Sequence, residues 1–133
     1  MTEEEKALSG ILFSPGDPGL AAMKLKAHNL NIAYNAVQED ETEKRDYILN
    51  NLLGSIGENC RIQGPVYFHY GKHTTMGDHF FANFNFTVQD DAFVTIGDHC
   101  NFGPGVTIVT PIHPMLAQER NSNKPDILGD NII

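Results

Sequence analysis

The chain has 133 residues, 41% of them hydrophobic and 20% charged, with a formal net charge of −8. That length fits one domain and that composition a folded, globular chain. The negative charge argues against nucleic acid or an anionic membrane as partner, because both bind basic surfaces, and no apolar run approaches the ~20 residues of a membrane span.

The start, Met1-Thr2-Glu3-Glu4-Glu5-Lys6, is acidic and has no basic region followed by an apolar core, so no signal peptide is expected. Cys60 and Cys100 form no pairing pattern, which fits two reduced, half-buried thiols and a cytoplasmic location. From Gly19 to Asn35 the residues Leu20, Met23, Ala27, Leu30 and Tyr34 recur at helical spacing. After the acidic link Gln38-Glu39-Asp40-Glu41, a second helix is predicted from about Thr42 to Leu53. Its apolar stripe is Tyr47, Ile48, Leu52 and Leu53, and Gly54 stands just past its end. Two short helices make no core alone, so residues 1–54 should form a helical segment packed on residues 55–133.

From Ile62 onward apolar positions recur every six residues: Ile62 to Phe68, Ala82 to Val88 to Val94, and Ile96 to Phe102 to Ile108. The phase slips by two between runs, from Phe68 to Met76 and from Val94 to Ile96. Three sixes and a two give a 20-residue step. That step is marked by tags of an apolar residue, Gly-Asp and His or Asn: Met76-Gly77-Asp78-His79, Ile96-Gly97-Asp98-His99 and Leu128-Gly129-Asp130-Asn131. The last interval reads as one further step with an inserted loop of about 12 residues. The pattern predicts a triangular coil whose rungs are short strands, with each Gly-Asp at a corner and one side chain per rung filling the axis. An antiparallel sandwich would need sustained alternation and Asn-Gly-type turns, which the sequence lacks.

These rungs resemble the left-handed parallel β-helix of the hexapeptide acyltransferases. Narrower matches are to the maltose, galactoside and nodulation O-acetyltransferases: Ser9-Gly10-Ile11-Leu12-Phe13, Asp17, Tyr70-Gly71, Phe81-Ala82-Asn83-Phe84-Asn85, Gln89-Asp90-Asp91, Val94-Thr95-Ile96-Gly97-Asp98 and Ile112-His113-Pro114. The resemblance implies a mainly β fold with a helical front. It also implies a homotrimer with sites between subunits, acetyl-CoA as acetyl donor along the coil, a sugar acceptor of maltose, glucose or galactoside type, and no metal. His113 would be the base that deprotonates a sugar hydroxyl, and Asn83 would steady the oxyanion. Asp17, His69 and Asp91 would contact the sugar. The rung at Gly103 and Pro104 would border the cofactor. Relatives continue for further coils past the point where this chain stops, at Ile132-Ile133, so a C-terminally truncated member is expected, with much of the donor half missing. Relatives also carry a smaller or acidic residue where His69 stands.

The residue types suit that chemistry. Neutral imidazole is abundant near neutral pH and serves as a base. A fixed amide donor at a developing oxyanion contributes about 3 kcal/mol. No serine or cysteine nucleophile with its own base is evident, which favours direct attack by the acceptor on the thioester. Of Asn83 and Asn85, one is expected to serve a corner in left-handed backbone and one the chemistry. Only one of the adjacent Asp90 and Asp91 should face the sugar. Asp78, Asp98 and Asp130 are expected to form turns, and His79 and His99 to stack on the outside. His69 and His73 are four apart, but in a coil rung that spacing does not put them on one face. A γ-type carbonic anhydrase would need paired histidines at five-residue spacing within a coil. The alternative to an enzyme is a truncated relative that trimerises or binds sugar without using acetyl-CoA.

Overall fold

Residues 1–113 and 128–129 are described by a computed structural model. Helix α1 (Glu3–Leu8) precedes the helices expected from spacing. A capping box forms it: the Thr2 hydroxyl accepts from the Glu5 N–H at 3.1 Å, and the Glu5 carboxylate accepts from the Thr2 N–H at 2.8 Å. Helix α2 (Pro18–Ala36) starts at Asp17, whose carboxylate accepts from the Leu20 N–H at 3.2 Å, with Pro18 in the first turn. It buries Leu20, Ala27 and Tyr34, as the spacing predicts, and also Asn31. Helix α3 (Thr42–Leu52) buries Leu49 and Leu52. Tyr47, expected in its apolar stripe, is instead 71% exposed. Each residue advances about 100° around a helix, so Tyr47 lies about 200° from Leu49 and faces away from the coil. No described helix is long and apolar enough to cross a membrane.

Nine short strands then wind three sheets. Strands β1 (Ser55–Ile56), β4 (Thr74–Met76) and β7 (Val94–Ile96) form one. Strands β2 (Arg61–Ile62), β5 (Phe81–Ala82) and β8 (Asn101–Phe102) form the second, and β3 (Val66–Phe68), β6 (Phe86–Gln89) and β9 (Thr107–Val109) the third. All six pairings are parallel and join residues 20 apart, such as Ile56 to Met76, Met76 to Ile96 and Phe68 to Val88. The three sheets are the sides of the expected triangular coil. Ile62, Phe68, Ala82, Val88 and Val94 are each 1% exposed or less along its axis, and Met76 and Ile96 close the slipped rungs at 4% and 7%. Phe80, Phe86 and Phe102 pack as a ring trio with centroids 5.3–5.7 Å apart.

The tag corners work differently from a simple glycine turn. The left-handed residue is the histidine: His79 and His99 both have φ of 57°, as does Asn59 one coil earlier. Asp98 accepts from the Asp78 N–H at 2.7 Å, and Asp78 from the Glu58 N–H at 2.8 Å. Gly77 leaves room for that carboxylate, since a β-carbon there would collide with the Asp98 side chain. His79 and His99 stack with centroids 4.8 Å apart and planes within 8°. The third tag departs from expectation. Leu128–Gly129 (β11) pairs antiparallel with Pro111–Ile112 (β10), not parallel on Ile96–Gly97. The stretch that follows Thr110 therefore leaves the coil's parallel register, and Asp130 and Asn131 lie outside the described residues.

Helices α2 and α3 cover the open edge of the first coil. Asn31 pairs with both backbone groups of Phe68, at 2.7 and 3.1 Å, and Asn35 does the same at Val66, at 3.0 and 2.7 Å. Arg45 donates to the carbonyls of Ile62, Gln63 and Val37. An unpaired edge strand is thus sealed by side chains.

Candidate active site

Four of the residues singled out from sequence, Asn83 and Gly103 on one side and His69 and Asp91 on the other, fall at two corners separated by the length of β6, about 13 Å at the rise of a strand. Asn83 lies where β5 turns into β6, and its N–H donates to the Phe102 carbonyl at 3.0 Å, so Gly103 sits one coil above it. The Asn83 side-chain oxygen accepts from the Phe84 N–H at 2.8 Å, which leaves its NH2 as the donating end. Asn85, with φ of 59°, is the left-handed corner residue, so the two asparagines divide the roles in backbone terms. Gly103 is exposed, with open space where a side chain would stand.

The other corner, where the third sheet turns back into the first, gathers His69, Tyr70, Asp90, Asp91 and Thr110 on successive coils. Asp90 is fully buried and spent on the fold. It accepts from the Tyr70 N–H at 2.7 Å and the Thr74 hydroxyl at 2.8 Å, although burial raises its pKa before those bonds lower it. Asp91, 1% exposed, has its Oδ1 without a hydrogen-bond partner among the described residues. Burial, then the neighbouring Asp90, pushes its carboxyl above the usual carboxylate range. Of this acidic pair, Asp90 is tied into the fold by its hydrogen bonds, while Asp91 has one oxygen unpaired among the described residues. His113 follows β10, three residues past buried Thr110, and its side chain is exposed. Pro114 and the segment 120–125 lie outside the described residues.

His69 is half-buried and meets His28 of α2, Nδ1 to Nε2 at 3.2 Å. Burial first, then the charges of His28 and Lys24, lower its pKa to about 4. Both imidazoles line a cleft of about 450 Å³ between α2 and the outer face of β3 and β6, with Tyr67 and Gln89 on its far wall. Asp17 stands at the front of α2, where its carboxylate already caps the helix. His73 is buried against Tyr70 with ring centroids 4.9 Å apart, and bonds to the Asp90 carbonyl and to Glu4. Among the described residues no group of three or more His, Cys, Asp or Glu side chains is arranged to hold a metal ion. Cys60 and Cys100 are both unpaired in disulfide terms and half-buried.

Sequence reasoning missed His28, Glu4 and Asn31. Asn31 carried no signal beyond its helical phase with Ala27 and Tyr34. Helix α1, which carries Glu4, was marked by Thr2 and Glu5 at capping-box spacing.

A triangular coil of six-residue rungs, fronted by helices that seal its first turn, defines the hexapeptide-repeat class. Residues 6–57 match the maltose acetyltransferase hexapeptide capping motif. The galactoside O-acetyltransferase of Escherichia coli K12 is 34% identical over 136 residues, covering 99% of this chain and 67% of its own. The solved maltose O-acetyltransferase from Clostridium difficile 630 superposes with a TM-score of 0.94 at 36% identity, over 98% of this chain and 69% of its own. A galactoside acetyltransferase solved in complex with coenzyme A superposes at 0.89 with 33% identity, over 98% and 64%. This chain belongs to the hexapeptide-repeat acetyltransferases, among the galactoside and maltose O-acetyltransferases, and its coil is their left-handed parallel β-helix. It spans about two thirds of the length of these relatives.

Proposed function

We propose that the protein transfers an acetyl group from acetyl-CoA to a hydroxyl of a sugar of maltose, glucose or galactoside type. The observation that carries the reading is the end-to-end likeness to a galactoside acetyltransferase solved with coenzyme A, over 98% of this chain. The buried Oδ1 of Asp91, unpartnered among the described residues, supports it, being a carboxylate oxygen open to a neutral donor such as a sugar hydroxyl. His113 takes the proton from the acceptor hydroxyl, whose oxygen attacks the thioester carbonyl. The Asn83 NH2 donates to the oxyanion of the tetrahedral intermediate, and CoA leaves as the thiol after the intermediate collapses. Asp17, His69 and Asp91 hold the sugar, and Gly103 lets the cofactor approach the coil.

The likeness to the family supports a homotrimer with a site between neighbouring subunits, in which the Asn83 and Gly103 corner of one copy would meet the Asp91 and His69 corner of the next. The test is acetyl-CoA-dependent release of CoA by the purified protein across a panel of sugars, with its mass in solution measured alongside. Release should require a sugar, vanish in His113→Ala, and fall about 10²–10³-fold in Asn83→Ala. A folded trimer that binds sugar and releases no CoA would refute the enzymatic reading.

A further inference from the structure

The hydroxyl of Tyr70 is buried and has no hydrogen-bond partner among the described residues. Its ring is held on every side. It stacks on His73, meets the edge of His69 at 5.1 Å, lies 5.9 Å below the Lys24 ammonium and packs with Ala7, Phe13 and Leu20. Packing alone would be served equally by phenylalanine, and a buried hydroxyl left unpaired is unfavourable. Asp91, placed one coil above Gly71 at the same corner, has its own buried oxygen without a partner among the described residues. An orphan donor and an orphan acceptor thus share one corner.

The surroundings narrow the guest. Burial and then the carboxylates of Asp91, Asp90, Glu4 and Asp17 raise the Tyr70 pKa, so the phenol stays protonated and donates. Glu4 and Asp17 also line a cleft of about 450 Å³ between α1 and the start of α2. Four carboxylates repel an anion. A neutral alcohol accepts one hydrogen bond and donates another, which is what the two orphan atoms offer.

We propose that Tyr70 is an acceptor-binding residue: its hydroxyl donates to a sugar hydroxyl oxygen, and that same sugar hydroxyl donates to Asp91 Oδ1. This rests on the sugar acetyltransferase reading and adds to it a contact that fixes a hydroxyl other than the one that reacts.

The test is Tyr70→Phe, read by thermal unfolding and by steady-state kinetics with the best sugar of the panel. The variant should unfold at the wild-type temperature or above it, since it removes only an unpaired group. Its KM for the sugar should rise about tenfold or more, while KM for acetyl-CoA and kcat stay within about threefold. A clearly lowered unfolding temperature would mean the fold itself uses the hydroxyl, and overturns the proposal. An unchanged sugar KM in an active protein overturns it too and leaves the acetyltransferase reading standing. Absence of sugar-dependent CoA release from the wild-type protein removes both.

Discussion

His73 ties Glu4 of the first helix to the coil: its Nε2 lies 3.0 Å from the Glu4 carboxylate, while Nδ1 donates to the Asp90 carbonyl at 2.8 Å. Lys72 adds an ammonium at 3.2 Å from the same Glu4 oxygen. A helix of six residues is too short to stand alone in water, so α1 depends on such anchors and on Ala7 packed beneath Tyr70.

This anchor makes the docking of α1 sensitive to acid. Burial pushes the Glu4 carboxyl up, but the hydrogen bonds from His73 and Lys72 outweigh it and leave the group below its ordinary value of 4.5. A carboxyl lowered in the folded state stabilises it above the unfolded value and loses that contribution as pH falls through the folded one. Amide protection factors in residues 1–10, with the intrinsic pH dependence of exchange divided out, should therefore fall as pH drops below about 4.5, ahead of those in β4 to β7. Glu4→Gln should show the same selective loss of protection at pH 7. Uniform loss across the coil would contradict a local anchor.

His69 should stay neutral across the physiological range and protonate only near pH 4, followed by its imidazole shift in an NMR titration. Its proton is disfavoured in the folded state, so the unfolded chain takes it up first. Stability from this group is complete above the ordinary histidine value near 6.5 and declines as pH falls from there towards 4. Replacing His28 by Ala opens the site to water and removes a neighbouring charge, and should move the His69 titration upward towards 6.5.

Asn31→Ala should destabilise the protein by about 2–4 kcal/mol in chemical denaturation. It strands two buried backbone groups of Phe68, each worth about 1–3 kcal/mol when unsatisfied. Asn29→Ala, on the exposed side of the same helix, should change stability by less than about 0.5 kcal/mol.

The same glycine in two successive tags should respond differently. At Gly77 an added β-carbon meets the Asp98 carboxylate and the backbone of Gly97, so Gly77→Ala should cost about 1–3 kcal/mol. At Gly97 no described atom lies within 4 Å of that position, and Gly97→Ala should be close to neutral. Equal costs at the two sites would show that the penalty is conformational and not steric.

The coil was legible because its signal repeats: six-residue spacing from Ile62 and slips of two at Met76 and Ile96 read directly as rungs and corners. The left-handed corner fell on His79 and His99 and not on the glycines, because the glycine is used for the close approach of the neighbouring carboxylate. Leu128-Gly129 looked like a further rung, since a four-residue tag does not reveal whether its partner lies parallel or antiparallel. At the site, Asp90 and Asp91 were separable only as a pair, one bonded into the fold and one with an oxygen unpaired among the described residues. Which was which depended on Tyr70 and Thr74, 20 and 16 residues away in sequence. His28 and His69 are 41 residues apart and meet only because α2 lies along β3.

In the first two tags the carboxylate completes the corner of the turn before it: Asp98 serves Asp78, and Asp78 serves Glu58. The dependence runs one way, so each of those turns is finished by its successor. Removing residues 77–96 would join Met76 to Gly97 and restore the order of apolar residue, glycine, aspartate and histidine, with every pairing intact. Removing 19 or 21 would misalign every pairing downstream. The reach of this scaffold is therefore quantised: it lengthens or shortens only by whole turns of 20 residues, and anything else must be housed where the chain steps off the coil, as it does after Thr110.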